Sequence, residues 1–284
     1  ISHSKGYGGG GGYLCNTEHL NTISIKWPHG QHEEGREGND DDDVLEDLQP
    51  HSNLKVLEIK RYPRLRIPRW AREDGLAASL PNLVKIVLED CDGLKELPWL
   101  GKLQHLKTLK LLRLMNLEYM ENKERGPDIG SSSDGAGITE SSIFFPSLEE
   151  LDLHKLPKLK GWWIGIRDGQ RASSDGSAQT ASVEHLPLFP RLSQVHIRIC
   201  RNLRSIPLGP AVDTLMLFRS GIVEEEEDEK VVSSRSSNDC GNWRSDDPKI
   251  KEITTDNVRF LRSLPVVAFQ CLTKMKIGDD DVVE

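Results

Sequence analysis

One spacing pattern of apolar residues recurs along this 284-residue chain and constrains its fold more than any other feature. In "LVKIVLEDCDGLKELP", residues 83–98, the apolar residues are two or three positions apart, which suits neither a regular strand nor an amphipathic helix throughout. The same spacing is found in nine segments when each is aligned on a central apolar residue, which we call its centre. These centres are Ile23, Leu57, Ile86, Leu109, Leu151, Val195, Leu215, Ile253 and Met275.

The aligned segments share further apolar positions after the centre. Six carry an apolar or aromatic residue five positions on, namely Tyr62, Cys91, Leu114, Leu156, Cys200 and Val258. The same six carry leucine eight positions on, namely Leu65, Leu94, Leu117, Leu159, Leu203 and Leu261. This is the leucine-rich-repeat pattern LxxLxLxx(N/C)xL, in which each repeat is a short strand plus a return segment. Since one repeat cannot bury its own apolar face, we predict an α/β fold: an irregular leucine-rich-repeat solenoid, or horseshoe, with a parallel concave β-sheet.

The spacing between centres predicts the domain organisation. It varies from 20 to 44 residues, whereas regular repeats have roughly 20–29. The excess in the long repeats is acidic or rich in Gly and Ser, a composition that buries too little apolar surface to order itself. We therefore predict a Gly-rich, disordered linker over 1–13 and a single domain of about nine repeats over 14–284. Long flexible loops are expected near 29–43, 121–142, 165–187 and 222–248.

Charge, cysteine usage and hydropathy exclude several classes of protein. The net charge of −8 argues against nucleic-acid binding, although residues 51–125 carry +5. No apolar stretch is long enough to span a membrane, so we expect no membrane partner. The five cysteines form no CxxC pair, and no Asn-x-Ser/Thr site occurs. These features favour a reducing compartment, and we predict a cytoplasmic or nucleo-cytoplasmic protein.

Two motifs suggest chemistry but lack the residues for it. "GYGGGGGY" has no following Lys and Ser/Thr, so it is a linker rather than a phosphate-binding loop. "HGQHEE" lacks metal-ligand spacing and lies in a charged tract. No nucleophile, base and orienting group can be assembled from the sequence. We therefore predict no cofactor, no metal and no enzymatic activity.

The candidate binding surface is the outward face of the predicted sheet. Side chains alternate along a strand, so residues one before, one after and three after each centre point away from the core. Four apolar residues at these positions, Val87, Leu112, Met216 and Phe218, are expected either to be exposed for protein contact or to be covered by a loop. The predicted protein-binding residues are Lys60, Lys85, Val87, Glu89, Lys110, Leu112, Asp152, His154, His196, Arg198, Met216 and Phe218.

Several segments resemble one known family. "VLEDLQPHSNLKVLEIKRYPRLRIPRW", "SLPNLVKIVLEDCDGLKELPWLGKLQHLKTLKLLRLMNLEYM" and "FFPSLEELDLHKLPKLKGWW" resemble repeats of plant nucleotide-binding (NB-ARC) leucine-rich-repeat resistance proteins of the coiled-coil type. The resemblance extends over residues 14–218. It implies a fragment from the C-terminal repeat region of such a receptor. The nucleotide-binding and coiled-coil motifs of the family do not occur in this sequence.

The resemblance implies a function in defence. It predicts a non-enzymatic module of an intracellular immune receptor that detects a pathogen effector protein or a guarded host protein. It also implies that the repeats restrain the NB-ARC domain of the full-length receptor. An alternative is the substrate-recruiting arm of an F-box type ubiquitin-ligase adapter, which would have an F-box upstream in place of a nucleotide-binding domain.

Overall fold

The computed structural model describes residues 13–28, 44–65, 67–72, 75–98, 100–121, 145–163, 189–203, 205–206, 208–221 and 249–278. The four predicted loops and the predicted linker lie outside these residues, apart from Glu121 and Tyr13. Tyr13 donates its backbone N–H to the carbonyl oxygen of Asp47 at 2.7 Å, and a bridge joins Leu14 to Pro50.

Nine strands form one parallel sheet, in the order β1-β2-β3-β4-β6-β8-β9-β10-β11. Two short strands, β5 and β7, pair in a second parallel sheet. The strands are β1 Thr22–Lys26, β2 Val56–Lys60, β3 Lys85–Glu89, β4 Thr108–Leu112, β5 Tyr119–Glu121, β6 Glu150–His154, β7 Gly161–Trp163, β8 Gln194–Arg198, β9 Thr214–Phe218, β10 Glu252–Thr255 and β11 Lys274–Ile277. The helices are α1 Val44–Asp47, α2 Arg69–Arg72, α3 Leu76–Ser79 and α4 Val258–Ser263, and a 3-10 turn spans Val266–Phe269.

The register of the large sheet confirms the alignment of the repeats. Each centre pairs with the centre of the next strand, from Ile23 with Leu57 at one end to Ile253 with Met275 at the other. Leu215 pairs with Ile253 as well, although a long polar segment separates the two in sequence. Parallel strands joined by return segments, each one repeat apart, are the arrangement of a leucine-rich-repeat solenoid.

The core lies on one side of the large sheet. The centres Ile86, Leu109, Leu151 and Val195 are at most 1% exposed, and residues two positions after them are buried too. Leucines of the return segments, such as Leu94, bury against them. Each repeat therefore covers the apolar face of its neighbour, which stabilises the stack by roughly 25 cal/mol for each Å² of apolar surface buried.

Two cysteines occupy the Asn/Cys position of the repeat pattern. Cys91 and Cys200 are fully buried, and their thiols donate to the carbonyl oxygens of Ile59 at 3.7 Å and Leu153 at 3.8 Å. Burial raises the pKa of Cys91 to about 11 and that of Cys200 to about 12. Both thiols stay protonated at neutral pH, so they link adjacent repeats as weak hydrogen-bond donors.

A left-handed residue ends the strand in six repeats. In five of them its backbone N–H donates to a carbonyl oxygen of the next strand, as from Arg113 to His154 at 2.7 Å. The backbone N–H of Arg219 donates instead to the carboxylate of Asp256 at 3.0 Å. A positive φ destabilises a non-glycine residue by roughly 1–2 kcal/mol. In these repeats it turns the chain out of the strand without interrupting the hydrogen bonds between neighbouring strands. The six residues, with φ between 46° and 60°, are Arg61, Asp90, Arg113, Lys155, Ile199 and Arg219.

Lys155 offers a direct test of this backbone strain because its side chain is exposed and its φ is 58°. Lys155→Gly is expected to raise the free energy of unfolding by about 1 kcal/mol, since glycine adopts positive φ without steric conflict. The matched variant Lys155→Val should lower it, because a β-branched side chain disfavours this conformation most. Urea denaturation measures both changes. Equal effects of the two substitutions would contradict the left-handed assignment.

Aromatic residues fill the core behind the long repeats. Phe189 stacks on Phe145 with ring centroids 5.8 Å apart and meets Trp162 edge-on at 5.3 Å. The indole N–H of Trp162 donates to the carbonyl oxygen of Ser205 at 3.2 Å. This cluster joins three successive repeats on the side of the core away from the large sheet.

Three predicted core positions are wrong, and one of them is the centre Met275, which is 44% exposed on the edge strand β11. The other two lie in return segments. Leu65 is 57% exposed, because Ala71 and Leu76 of the short helices α2 and α3 fill the core of this repeat instead. Val258 is 47% exposed at the start of α4, where the side chain of Asn257 accepts the backbone N–H of Phe260 at 3.0 Å. The helix buries Phe260 in its place.

Candidate protein-recognition face

The outward face of the sheet is built from three rows of side chains that cross the strands. We define it as the first, third and fifth residues of β2, β3, β4, β6, β8 and β9. The middle row runs Glu58, Val87, Lys110, Asp152, His196 and Met216, since these residues pair in register. The third row runs Lys60, Glu89, Leu112, His154, Arg198 and Phe218. All twelve predicted binding residues lie on this face, including Lys85 in the first row.

Most lysines and carboxylates of the face pair with each other across neighbouring strands. Lys85 Nζ lies 2.9 Å from Glu58, Lys60 Nζ lies 2.6 Å from Glu89, and Lys110 Nζ contacts a carboxylate on β6 at 2.6 Å. The hydrogen bond from Lys85 lowers the pKa of Glu58. Half-exposed pairs contribute little to stability, at most about 1 kcal/mol each. Because these ion pairs are weak, their side chains can exchange them for contacts with a bound protein.

Arg113 forms the densest ion-pair group beside the face and was not among the predicted residues. Its Nε lies 2.5 Å from Asp90 Oδ1, its Nη2 lies 3.0 Å from Asp90 Oδ2, and the same Nη2 contacts Glu89. Hydrogen bonds with Asp90 raise the pKa of Arg113 above its ordinary value. Burial acts to raise the pKa of Glu89, but hydrogen bonds from Lys60 and Arg113 outweigh it and lower that pKa. Arg113 thus fixes two carboxylates at the edge of the face.

The centre of the face holds four polar side chains on β6 and β8. Asp152 pairs in register with His196, and His154 pairs with Arg198. Asp152 is only 8% exposed, and its Oδ1 lies 3.5 Å from Arg198 Nη2. Neither Asp152 Oδ1 nor Arg198 Nε has a hydrogen-bond partner in the part of the chain that the structure describes. This ion pair is partly buried, and two of its buried atoms make no hydrogen bond within the described residues. Each such atom costs roughly 1–3 kcal/mol of stability.

Burial keeps both imidazoles of this centre neutral. It lowers the pKa of His196, although Asp152 and Glu150 act in the opposite direction. It also lowers the pKa of His154, and the positive charge of Arg198 adds to that effect. Near neutral pH each imidazole therefore offers one donor and one acceptor rather than a charge.

These shifts predict an acid-labile fold. The histidines take up protons near pH 6.5 in the unfolded chain but at lower pH in the folded chain. Stability that is present above pH 6.5 is therefore lost as the pH falls through the lower folded pKa values. Urea unfolding at pH 7.0, 6.0 and 5.0 should show this loss, and the double variant His154→Gln/His196→Gln should reduce it. A loss confined to pH below 4.5 would assign the effect to Glu58 and Glu89 instead, because the stability that their lowered pKa values confer is lost only below their ordinary pKa.

The apolar residues of the face are less exposed than expected. Val87 is 6% exposed and Phe218 is 4% exposed, so the expectation of exposed contact groups is wrong for these two. Val87 lies between the longer side chains of Glu58 and Lys110 in the register, which shield it. Leu112 and Met216 are half-buried and remain partly accessible. The face therefore presents mainly polar groups with limited apolar surface between them.

The polar groups of this face are spread over six strands. Among the described residues, no group of His, Cys, Asp and Glu is arranged to hold a metal ion. Within the same residues, no helix is long and apolar enough to cross a membrane.

Comparison with known proteins finds similarity to one family. Residues 11–114 match the family model described as R13L1/DRL21 LRRs. The chain is a leucine-rich-repeat relative of plant disease resistance proteins. The disease resistance RPP13-like protein 1 of Arabidopsis thaliana is 26% identical over 230 residues, which cover 78% of this chain and 19% of that protein. No solved structure matches.

Two further disease resistance proteins, both from Solanum bulbocastanum, are similar to this chain. RGA4 is 30% identical over 73% of the chain, and RGA2 is 32% identical over 50%. The matches cover 20% of RGA4 and 13% of RGA2. The chain therefore spans about a fifth or less of the length of its resistance-protein relatives.

Proposed function

We propose that this chain is the protein-recognition region of an intracellular plant immune receptor. In this proposal the outward face binds a pathogen effector protein or a guarded host protein, and no chemical reaction takes place there. The names of the relatives support a role in defence. The size of the sheet supports protein binding, since six strands spaced about 4.8 Å apart provide a continuous surface roughly 24 Å wide.

One observation carries the assignment to this face: the incompletely hydrogen-bonded pair of Asp152 and Arg198. A buried donor and acceptor without partners cost stability, and a fold selected for stability alone would replace them with apolar residues. The neutral imidazoles of His154 and His196 lie beside them in the register. A partner that brings polar groups to this centre would recover the lost hydrogen bonds, which favours tight and specific binding.

The proposed mechanism is a shift between two states of a longer receptor. Surfaces of the repeats would restrain the nucleotide-binding module in the resting state, and the partner would bind better to the released state. A partner moves this equilibrium only by the difference between its affinities for the two states. Moving it from 1:99 to 99:1 requires a preference of about 10⁴-fold. Extensive contact over the outward face is the source of that preference.

The test is expression in plant leaves of the complete receptor that contains these repeats. The double variant Asp152→Asn/Arg198→Gln removes both charges together, so neither remains buried and unpaired. We expect it to abolish the defence response to the cognate pathogen or to produce cell death without a pathogen. The matched variant Arg201→Gln alters an exposed arginine in the turn after β8 and should leave both readouts unchanged. A normal response from the double variant would refute the assignment of this face.

A further inference from the structure

A second surface, distinct from the outward face, lies at the edge of the sheet where the strands begin. A groove of about 710 Å³ runs along the turns that precede β1, β2, β3, β4, β6 and β8. We call it the edge groove. Because the strands are parallel, equivalent residues of successive repeats meet along this edge and line the groove in rows.

The lining of the edge groove is polar and carries more basic than acidic side chains. It contains Lys55, Lys107 and Arg191, together with two histidines, and Glu18 is its one acidic residue. Neither Lys55 nor Arg191 forms an ion pair with the described residues. Lys107 lies 2.9 Å from Glu149, but the two side chains are 53% and 47% exposed. Such an exposed pair contributes little, so Lys107 can exchange Glu149 for a carboxylate of a ligand.

These cations lie on every second strand of the sheet. Lys55, Lys107 and Arg191 precede β2, β4 and β8, which are the second, fourth and sixth strands of the sheet. Neighbouring strands are about 4.8 Å apart, so Lys55 and Lys107, each two residues before its centre, are about 10 Å apart along the groove. Arg191 lies four residues before its centre, two strands further on. A peptide in the polyproline II conformation rises about 3.1 Å per residue and has three residues per turn, so every third side chain lies on the same face, about 9 Å from the last.

Hydrogen bonds between repeats hold the turns of the groove in place. The side-chain amide of Asn53 donates to the carbonyl oxygen of Glu18 at 3.2 Å, and that of Asn82 donates to Ser52 at 3.1 Å. The carbonyl oxygen of Asn21 accepts the backbone N–H groups of Lys55 and Val56, both at 3.0 Å. The backbone that carries the cations is thus fixed before any ligand arrives, which lowers the entropic cost of binding.

We propose that the edge groove binds an acidic peptide in the polyproline II conformation, with a carboxylate at every third residue. The three cations would each pair with one carboxylate, and the polar Asn and Ser side chains of the lining would contact the peptide backbone. A nucleic acid fits less well, because the net charge of −8 repels a dense polyphosphate while the local positive charge is confined to one groove. This site is independent of the proposed function of the outward face.

Fluorescence anisotropy with the complete purified chain tests the proposal. The probe is a labelled ten-residue peptide with Asp at positions 1, 4, 7 and 10 and Ser or Ala elsewhere. The matched probe has the same composition with its four Asp residues contiguous. We expect the spaced peptide to bind several-fold more tightly, and the affinity to fall with salt because the contacts are exposed ion pairs. The variant Lys55→Glu/Arg191→Glu should weaken binding about tenfold.

Control variants and probes distinguish binding in the edge groove from nonspecific attraction between opposite charges. Arg201→Glu/Arg259→Glu changes the net charge equally at exposed positions away from the groove and should leave binding unchanged. Asp152→Asn/Arg198→Gln should also leave it unchanged, so the two surfaces are judged separately. Equal affinity for the two peptides, tighter binding of single-stranded oligothymidylate, or equal weakening by the control charge reversals would overturn the proposal. Absence of binding to the spaced peptide at low salt would overturn it as well.

Discussion

Replacing Val195 by Asp is expected to unfold the repeats around β8 and to cost more than about 4 kcal/mol. Val195 is 1% exposed and pairs in register with Leu151 and Leu215, so a carboxylate there would be buried among apolar side chains with no partner. A domain has only about 5–15 kcal/mol of stability in total. The melting temperature is measured by far-ultraviolet circular dichroism.

The adjacent residue supplies the matched control. Gln194 lies on the same strand but on the outward face, where its side chain is exposed. Gln194→Asp introduces the same charge and should change the free energy of unfolding by less than about 1 kcal/mol. Because a slip of one residue exchanges the two faces of a strand, comparable losses in both variants would show that the register is wrong.

Replacing Phe189 by Ala is the second change with a large expected effect, about 3–5 kcal/mol. Phe189 is 2% exposed and packs against both Phe145 and Trp162, so its removal leaves a cavity between three repeats. The apolar contact of the stacked pair is lost together with the transfer free energy of the ring. Guanidinium denaturation should show a lower transition midpoint.

A volume-conserving substitution controls for the cavity. Phe189→Leu keeps most of the buried volume and should cost at most about 2 kcal/mol, clearly less than the alanine variant. Tryptophan fluorescence reports the effect locally, because Trp162 lies 5.3 Å from the Phe189 ring. If the alanine and leucine variants were equally stable, Phe189 would not lie in a packed cluster.

The repeat alignment was predictable from the sequence because apolar spacing reflects packing directly. A centre such as Ile253 could be recognised from its own segment, even though a long polar stretch separates it from Leu215. The exceptions occur where local structure replaces the repeat pattern. Leu65 and Val258 carry the right spacing, but short helices supply other side chains to the core at these points. Spacing alone does not reveal which of two apolar residues a helix will bury.

The positions of the face were predictable, but their interactions were not. Alternation along a strand places Asp152 and Arg198 on one surface, whereas their 3.5 Å contact and unused hydrogen-bonding atoms depend on side-chain conformations. The low exposure of Val87 depends on longer neighbours from two other strands. Arg113 was missed because it follows its strand in a left-handed turn, outside the alternation.

The edge groove could not be predicted from the sequence, although a signal for it existed. The positive charge of residues 51–125 indicated a basic region without locating it. Lys55, Lys107 and Arg191 are far apart in the chain and come together only through the sheet order. Once the register is known, the residues two and four positions before each centre can be aligned as rows. Those rows contain the cations of the groove.

The most direct test of recognition by the outward face is a quantitative two-hybrid screen of secreted pathogen proteins against this chain. We predict at least one interacting protein whose binding is lost with Asp152→Asn/Arg198→Gln and retained with Arg201→Gln. Equal folding of both variants, checked by their melting temperatures, makes the comparison valid. Interactions that all survive the double variant, or that both variants weaken equally, would contradict recognition by the outward face.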